Sequence, residues 1–424
     1  MLFILIYIAL VIVRPQEYPA LVDANIPFLP VALALSMLAW LIAGHKTFAQ
    51  PQYRLLFAFF VVTMISIATN GWVGGVVEQA GRFAPNLIAF VLLANALTTQ
   101  RRMIVTMQVL VLSSLVLALH GAFQVENGIG WTGMPLVQDD GRIQYVGIFS
   151  DPNDLGLLFV SVLPMALYLG KRGGLFGLAR LFWLAGAGLL LYGVYLTNSR
   201  GALLAVALMV GVWLWLRRGL IVAALVGGVG LAGMMALPSR LQDLDASEES
   251  AAGRVDAWYE GLQMFREHPL FGVGAGNFTE HNYLTAHNSF VLALAETGFV
   301  GYTLWLAFVG YGFWMMLRLQ RYRPDDGGTQ AGDPAATAEW RVMHDIATTM
   351  FVSLCGLYMA VFFLSRTYVI VLYLIAAMVV GEYTIAGSKF PDIRPMRFGD
   401  DLLRWFGLSL ATIALLFVIV RVLS

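Results

Sequence analysis

Apolar residues in this chain come in long blocks, with most polar residues falling between the blocks rather than alternating inside them. A block of about 20 apolar residues is the length that carries a helix across a bilayer. Thirteen candidates follow, near residues 2–13, 27–43, 53–69, 83–99, 103–123, 154–170, 178–197, 201–216, 219–237, 287–317, 343–364, 367–386 and 404–422. The first is short, and no internal repeat is visible. Leu2–Val13 runs into Arg14-Pro15-Gln16-Glu17 rather than a small-residue cleavage site, so it reads as a retained first segment. The interruptions at 124–150 and 238–286 are far longer than a turn. The pattern predicts an all-α polytopic integral membrane protein of about 12–13 transmembrane helices. It divides into a bundle over 1–237, one large polar loop over 238–286 and C-terminal membrane helices over 287–424.

Composition narrows this further. The chain is 59% hydrophobic and 12% charged, where a soluble domain carries about 25% charged residues. Little is left over for a soluble domain. Net charge is zero, so the overall balance points to no partner, and no nucleic acid is expected. Cys355 is the single cysteine and lies in an apolar run, which excludes an intrachain disulfide or thiolate cluster.

Basic residues set the orientation, because cytoplasmic loops collect Lys and Arg. With residue 1 inside and the spans alternating, only Arg14, Arg82, Arg142, Arg200, Arg240, Arg254, Arg266, Arg366 and Arg421 fall outside. Every lysine is inside. The loops at 124–150 and 238–286 then face outward. Arginine's planar fork grips phosphate in two places, and Arg82, Arg200 and Arg366 stand within a residue or two of predicted helix ends. Snorkelling at the interface explains each singly; convergence on a phosphate explains them together.

Several motifs sit on the outward side. Asn198-Ser199-Arg200-Gly201 is a tight turn between spans, with little loop in which the arginine can move. Gly253-Arg254-Val255-Asp256-Ala257-Trp258 opens an amphipathic helix whose Val255, Trp258, Leu262 and Phe265 share one apolar face. Gly272, Gly274 and Gly276 form GxGxG without the strand or spacing of a dinucleotide fingerprint, and read as a flexible loop. Asp243 and Asp245 make an isolated acidic pair. Asp151-Pro152-Asn153-Asp154 has the residues of a helix start and reads as structural.

Of the histidines in the 238–288 region, His281 and His287 are six residues apart, which does not place two imidazoles on one helix face for a metal. No metal site is expected. His287 stands at the mouth of the 287–317 span. The positive end of that helix and nearby arginines both disfavour imidazolium, leaving a neutral ring able to take a proton. A capping role is the plainer alternative. Glu296 lies within the same span and needs a partner there.

Taken in order, Ser199-Arg200-Gly201, Gly253-Arg254 with Trp258, Pro269 to Phe278, and Ala286-His287-Asn288-Ser289 with Glu296, Gly298 and Gly301 resemble the O-antigen ligase and O-antigen polymerase superfamily. The resemblance covers about residues 150–310. It implies a lipid-dependent glycosyltransferase of the GT-C type in a bacterial inner membrane, acting at the periplasmic face without metal or cofactor. The ligase branch moves a glycan from undecaprenyl pyrophosphate to a sugar hydroxyl of the lipid A core. By the same resemblance, Arg200 and Arg254 bind the donor pyrophosphate, joined by some of Arg82, Arg142 and Arg366. His287 is then the catalytic base, with Asn288 and Glu296 in support. A polymerase or a protein O-oligosaccharyltransferase would share this chemistry and differ in acceptor. A small-anion transporter is the rival from another class; polar residues gathered at one face, without repeated halves, argue against it.

Overall fold

A computed structural model describes the chain except residues 45, 139–140, 173, 175–176, 237–244, 325–333 and 424; over 229–236 and 245–252 only the backbone is described. Asp243 and Arg240 lie outside the described residues. The fold is helical. In order the elements are α1 (Leu2–Val13), α2 (Phe28–Ile42), α3 (Pro51–Thr69), α4 (Val73–Ala96), α5 (Gln100–Asn127), α6 (Pro152–Lys171), α7 (Leu178–Leu196), α8 (Arg200–Arg218), α9 (Leu220–Ala236), α10 (Asp245–Glu267), α11 (Phe278–His281), α12 (Ser289–Arg321), α13 (Pro334–Phe362), α14 (Ile370–Lys389) and α15 (Phe398–Leu423).

All thirteen apolar blocks are helices. Ten are long and apolar enough to cross a membrane: α3 to α8 and α12 to α15. The other three, α1, α2 and α9, have 12, 15 and 17 residues. This is a polytopic membrane protein. Its core is made by α6, α12, α13 and α14, whose side chains are buried almost all round. Helices α7, α8 and α15 leave one face open, with Leu181, Tyr195, Trp213, Leu403 and Leu415 exposed. In a bilayer such a face meets lipid at no hydrophobic cost.

Contacts sort the loops into two ends. At one end Lys171 pairs with Asp345 (2.8 Å) and Lys389 with Glu339 (2.6 Å). At the other, the α3–α4 turn meets the glycine loop (Asn70 Nδ2 to the Gly272 carbonyl, 2.9 Å). There Arg142 meets the α7–α8 turn, donating to the Thr197 carbonyl (2.7 Å). At the same end Thr285 meets the α13–α14 turn, through Ser365. All described lysines with ion pairs belong to the first end, and the second is built around arginine.

Helix α12 is the pivot. Thirty-three residues would extend roughly 50 Å, too long for one straight span, and the helix breaks at Gly298 (φ 61°, ψ −165°). The glycine loop docks into the break. Val273 and Gly274 N–H groups donate to the Ala295 and Glu296 carbonyls (2.9 and 3.1 Å), while Phe299 and Val300 N–H groups donate to the Pro269 and Leu270 carbonyls (2.8 and 3.2 Å). The loop is therefore not the flexible linker that its composition suggests. Its glycines take positive φ to supply the backbone groups that the broken helix leaves unpaired.

A cationic site at the helix N-termini

Helices α6, α8 and α12 all begin at the arginine-rich end, and each is capped by its own side chain. Asp151 accepts the Asn153 N–H, with Pro152 in the first turn. Ser199 accepts the Ala202 N–H (3.3 Å). Asn288 Oδ1 accepts both the Phe290 and Val291 N–H groups (2.8 and 3.1 Å). The residues singled out by sequence flank these caps: Asp151 and Asp154, Arg200, and His287. Three positive helix ends thus converge with the arginines, an arrangement that favours an anion.

The arginines differ in what holds them. Arg366, after α13, is forked onto Asp154 of α6 (Nε to Oδ1 2.5 Å, Nη2 to Oδ2 2.6 Å), with Asp151 3.8 Å away. Burial opposes its charge, but the Asp154 fork and Asp151 outweigh burial and raise its pKa. Arg142 is half-buried and bonded to the Thr197 carbonyl and to Asn153 Oδ1 (2.9 Å). Arg200 is exposed and Arg254 half-buried, and neither has a hydrogen bond or ion pair with any described residue. Burial, then Arg200 and Arg142, lower the Arg254 pKa, while Asp151 raises it. These four arginines therefore act on one another or on shared neighbours. Arg82 does not join them: it is exposed on α4, 2.5 Å from Glu78 one turn away, and is not among the charges acting on Arg254, His287 or Arg366.

His287 lies just outside α12, half-buried, with a left-handed backbone (φ 47°) and its N–H donated to Ser365 Oγ (2.7 Å). Burial first, then Arg254 and Arg366, lower its pKa; Asp151 opposes them. The shift favours the neutral ring, the direction expected from the helix end and the arginines. Asn288 is fully buried, and its Nδ2 has no partner among the described residues. Glu296 finds the partners that its burial demands: Tyr368 Oη donates to Oε2 (2.9 Å), and the Phe278 N–H donates to Oε1 (3.3 Å). The Gly276 N–H adds a third. Ser66 Oγ donates to its carbonyl. Glu296 thereby ties the glycine loop, α3 and the α13–α14 turn to one helix.

The 151–154 run is more than the helix start that its residues suggest. Asp151 does cap α6, but it also acts on Arg254 and His287, and Asp154 holds Arg366. The signal in the sequence is two acids beside a proline at a helix start, in the loop system that also carries the arginines. Among the described residues, no three His, Cys, Asp or Glu side chains gather into a metal-binding set.

Fold and site together define a polytopic helical membrane protein with arginines and a histidine gathered at the N-termini of three of its helices. Residues 185–306 match the family model described as O-antigen ligase, a stretch that holds Arg200, Arg254, His287, Asn288 and Glu296. The exopolysaccharide production protein ExoQ of Rhizobium meliloti (strain 1021) is 28% identical over 197 residues, covering 38% of this chain and 44% of that protein. The alignment spans less than half the length of that relative. Over the part of the chain that they cover, both similarities point toward the O-antigen ligase superfamily.

Proposed function

We propose that this protein is an O-antigen ligase: it transfers a glycan from undecaprenyl pyrophosphate to a sugar hydroxyl of the lipid A core, at the periplasmic face of a bacterial inner membrane. The observation that carries this reading is the pair Arg200 and Arg254, one exposed and one half-buried, whose charges act on each other and which have no hydrogen bond or ion pair with any described residue. Two unpaired guanidinium groups beside three helix N-termini suit a pyrophosphate, and arginine provides bidentate contacts to it.

In this mechanism Arg200 and Arg254, with Arg142 behind them, bind the donor pyrophosphate and stabilise the charge that grows on it. His287 accepts the proton of the acceptor hydroxyl. That oxygen forms its bond to the anomeric carbon as the bond from this carbon to the phosphate oxygen breaks, and the pyrophosphate leaves with the electron pair. Attack on the face opposite the leaving group inverts the centre. Asp151 partly offsets the arginines at His287 and so steadies the imidazolium once it forms.

A polymerase is the second reading, with a lipid-linked glycan as acceptor. It is favoured by the similarity to a protein named for exopolysaccharide production. The test is transfer by purified protein in liposomes, with one lipid-pyrophosphate-linked donor and three acceptors: lipid A core, lipid-linked glycan and a protein. Transfer to the core alone, abolished in His287→Ala with donor still bound, is the expected result. Transfer only to lipid-linked glycan would replace the ligase reading with the polymerase one. Undiminished transfer by His287→Ala would remove the base.

A further inference from the structure

The turn between α13 and α14 is stitched to the residues that carry His287. Ser365 Oγ accepts the His287 N–H (2.7 Å) and the Thr285 hydroxyl (2.8 Å). Ser289 Oγ donates to the Leu364 carbonyl (2.6 Å) and accepts the Arg366 N–H (2.8 Å), while Thr367 Oγ1 donates to the Ser289 carbonyl (3.0 Å). Beneath the turn, Arg366 is forked onto Asp154. These bonds answer a local need. His287 has φ 47°, a left-handed conformation that a residue with a β-carbon adopts only when its surroundings hold it there. Its own helix does not hold it, because α12 starts at Ser289 and the Asn288 cap is spent on Phe290 and Val291.

We propose that Ser365 is a positioning residue for His287, and that the α13–α14 turn, anchored by Arg366 on Asp154, is a splint that fixes where the imidazole meets the acceptor hydroxyl. Ser365, Thr367 and Asp154 all lie outside the 185–306 family match. The inference rests on the reading of His287 as base. It also gives Arg366 a different task from Arg200 and Arg254: it holds the histidine's support rather than the donor.

The consequence is kinetic. Without the Ser365 hydroxyl the His287 N–H loses its acceptor, and the backbone is free to relax out of the left-handed region and swing the ring. A misplacement of about 1 Å costs on the order of 100-fold in rate. Ser365→Ala should therefore lower kcat by about 10- to 100-fold, with the acceptor KM and donor binding within about 2-fold. Ser365→Thr, which keeps the hydroxyl, should recover most of the rate. If Ser365→Ala does not yield folded protein, Ser365→Cys, with a weaker acceptor, should give an intermediate loss. Hydrogen–deuterium exchange over 285–289 provides a readout independent of transfer: it should rise in Ser365→Ala and Asp154→Asn, but not in Ser365→Thr. Wild-type kcat in Ser365→Ala beside an inactive His287→Ala, or exchange unchanged by Ser365→Ala, overturns the splint. If the wild type transfers to none of the acceptors, the enzymatic reading fails; the exchange result then decides the splint by itself.

Discussion

Asp154→Ala is the sharpest probe of the site's electrostatics. The Asp154 side chain is 5% exposed and receives both edges of the Arg366 fork; the arginine is 32% exposed. Removing one partner of a fully buried pair costs about 3–5 kcal/mol, largely because the other charge is left uncompensated. Here solvent reaches the arginine from one side, and Asp151, 3.8 Å away, takes over part of the interaction. The expected destabilisation is therefore about 2–3 kcal/mol for Asp154→Ala, and about 1–2 kcal/mol for Asp154→Asn, which keeps one acceptor oxygen. Arg366→Ala leaves a buried carboxylate instead and should cost at least as much. The double variant should be less harmful than the sum of the singles, by a coupling of about 1–2 kcal/mol. Unfolding of the purified protein in mixed micelles, followed by tryptophan fluorescence, closes the cycle. Additivity within about 0.5 kcal/mol would mean that the fork carries no energy of its own, and the anchoring role argued for Asp154 would fall with it.

Four further expectations can be checked in the same preparations. Gly298→Ala should be severely destabilising, by more than about 3 kcal/mol, because its new methyl would meet the Leu270 oxygen and Phe271 nitrogen at 2.5 Å and its φ is 61°; folded protein with a wild-type unfolding midpoint would refute the docked loop. Glu296→Ala should cost about 2–4 kcal/mol by orphaning Tyr368 and the Phe278 N–H, while Glu296→Gln, whose amide can still serve both, should cost under about 1.5 kcal/mol; equal losses would mean that the bonds are incidental. The His287 pKa is lowered, so transfer should fall only as pH drops below the ordinary imidazole range near pH 6.5. Removing the lowering charge in Arg254→Gln, at saturating donor, should shift that acid limb to higher pH; a limb that stays put or moves down contradicts the assignment. Finally, Glu382 is fully buried in α14, and neither carboxylate oxygen has a hydrogen-bond partner among the described residues, although the Lys389 charge acts on it; Glu382→Met should leave transfer intact and stabilise the fold by about 1 kcal/mol, and a loss of stability would mean that the Lys389 attraction outweighs the burial cost.

What was legible in the sequence follows from how far apart the cooperating residues lie. Membrane helices announce themselves within 20 residues, so all thirteen blocks became helices. Arg200, Arg254 and His287 sit in short local motifs, each next to a cap or a helix start, and were legible for the same reason. The support of the site was not. Arg366 and Asp154 are 212 residues apart, and Ser365 and His287 are 78 apart; no periodicity joins them. The glycine loop is ambiguous in sequence because glycine allows positive φ both where a chain must flex and where two backbones must meet closely, and the break at Gly298 distinguishes the two.

That difference bears on how the site works. From sequence alone, every arginine on one face counts equally toward a phosphate. In the fold the five candidates separate by partner: Arg82 is tied to Glu78, Arg366 to Asp154, Arg142 to carbonyl and amide oxygens, and of the five Arg200 and Arg254 have no ion pair or hydrogen bond with a described residue. An anion arriving at the helix N-termini relieves the repulsion between those two, and it does so beside a histidine whose proton affinity the same cations suppress. If His287 is the base and the donor's phosphates bind these arginines, as proposed, donor binding would neutralise part of that positive charge and should raise the proton affinity of His287. The acid limb of the pH profile should therefore lie higher for the donor-bound enzyme, read from kcat, than for the free enzyme, read from kcat/KM for the donor. Coincident limbs would mean that the two arginines do not meet the donor's phosphates.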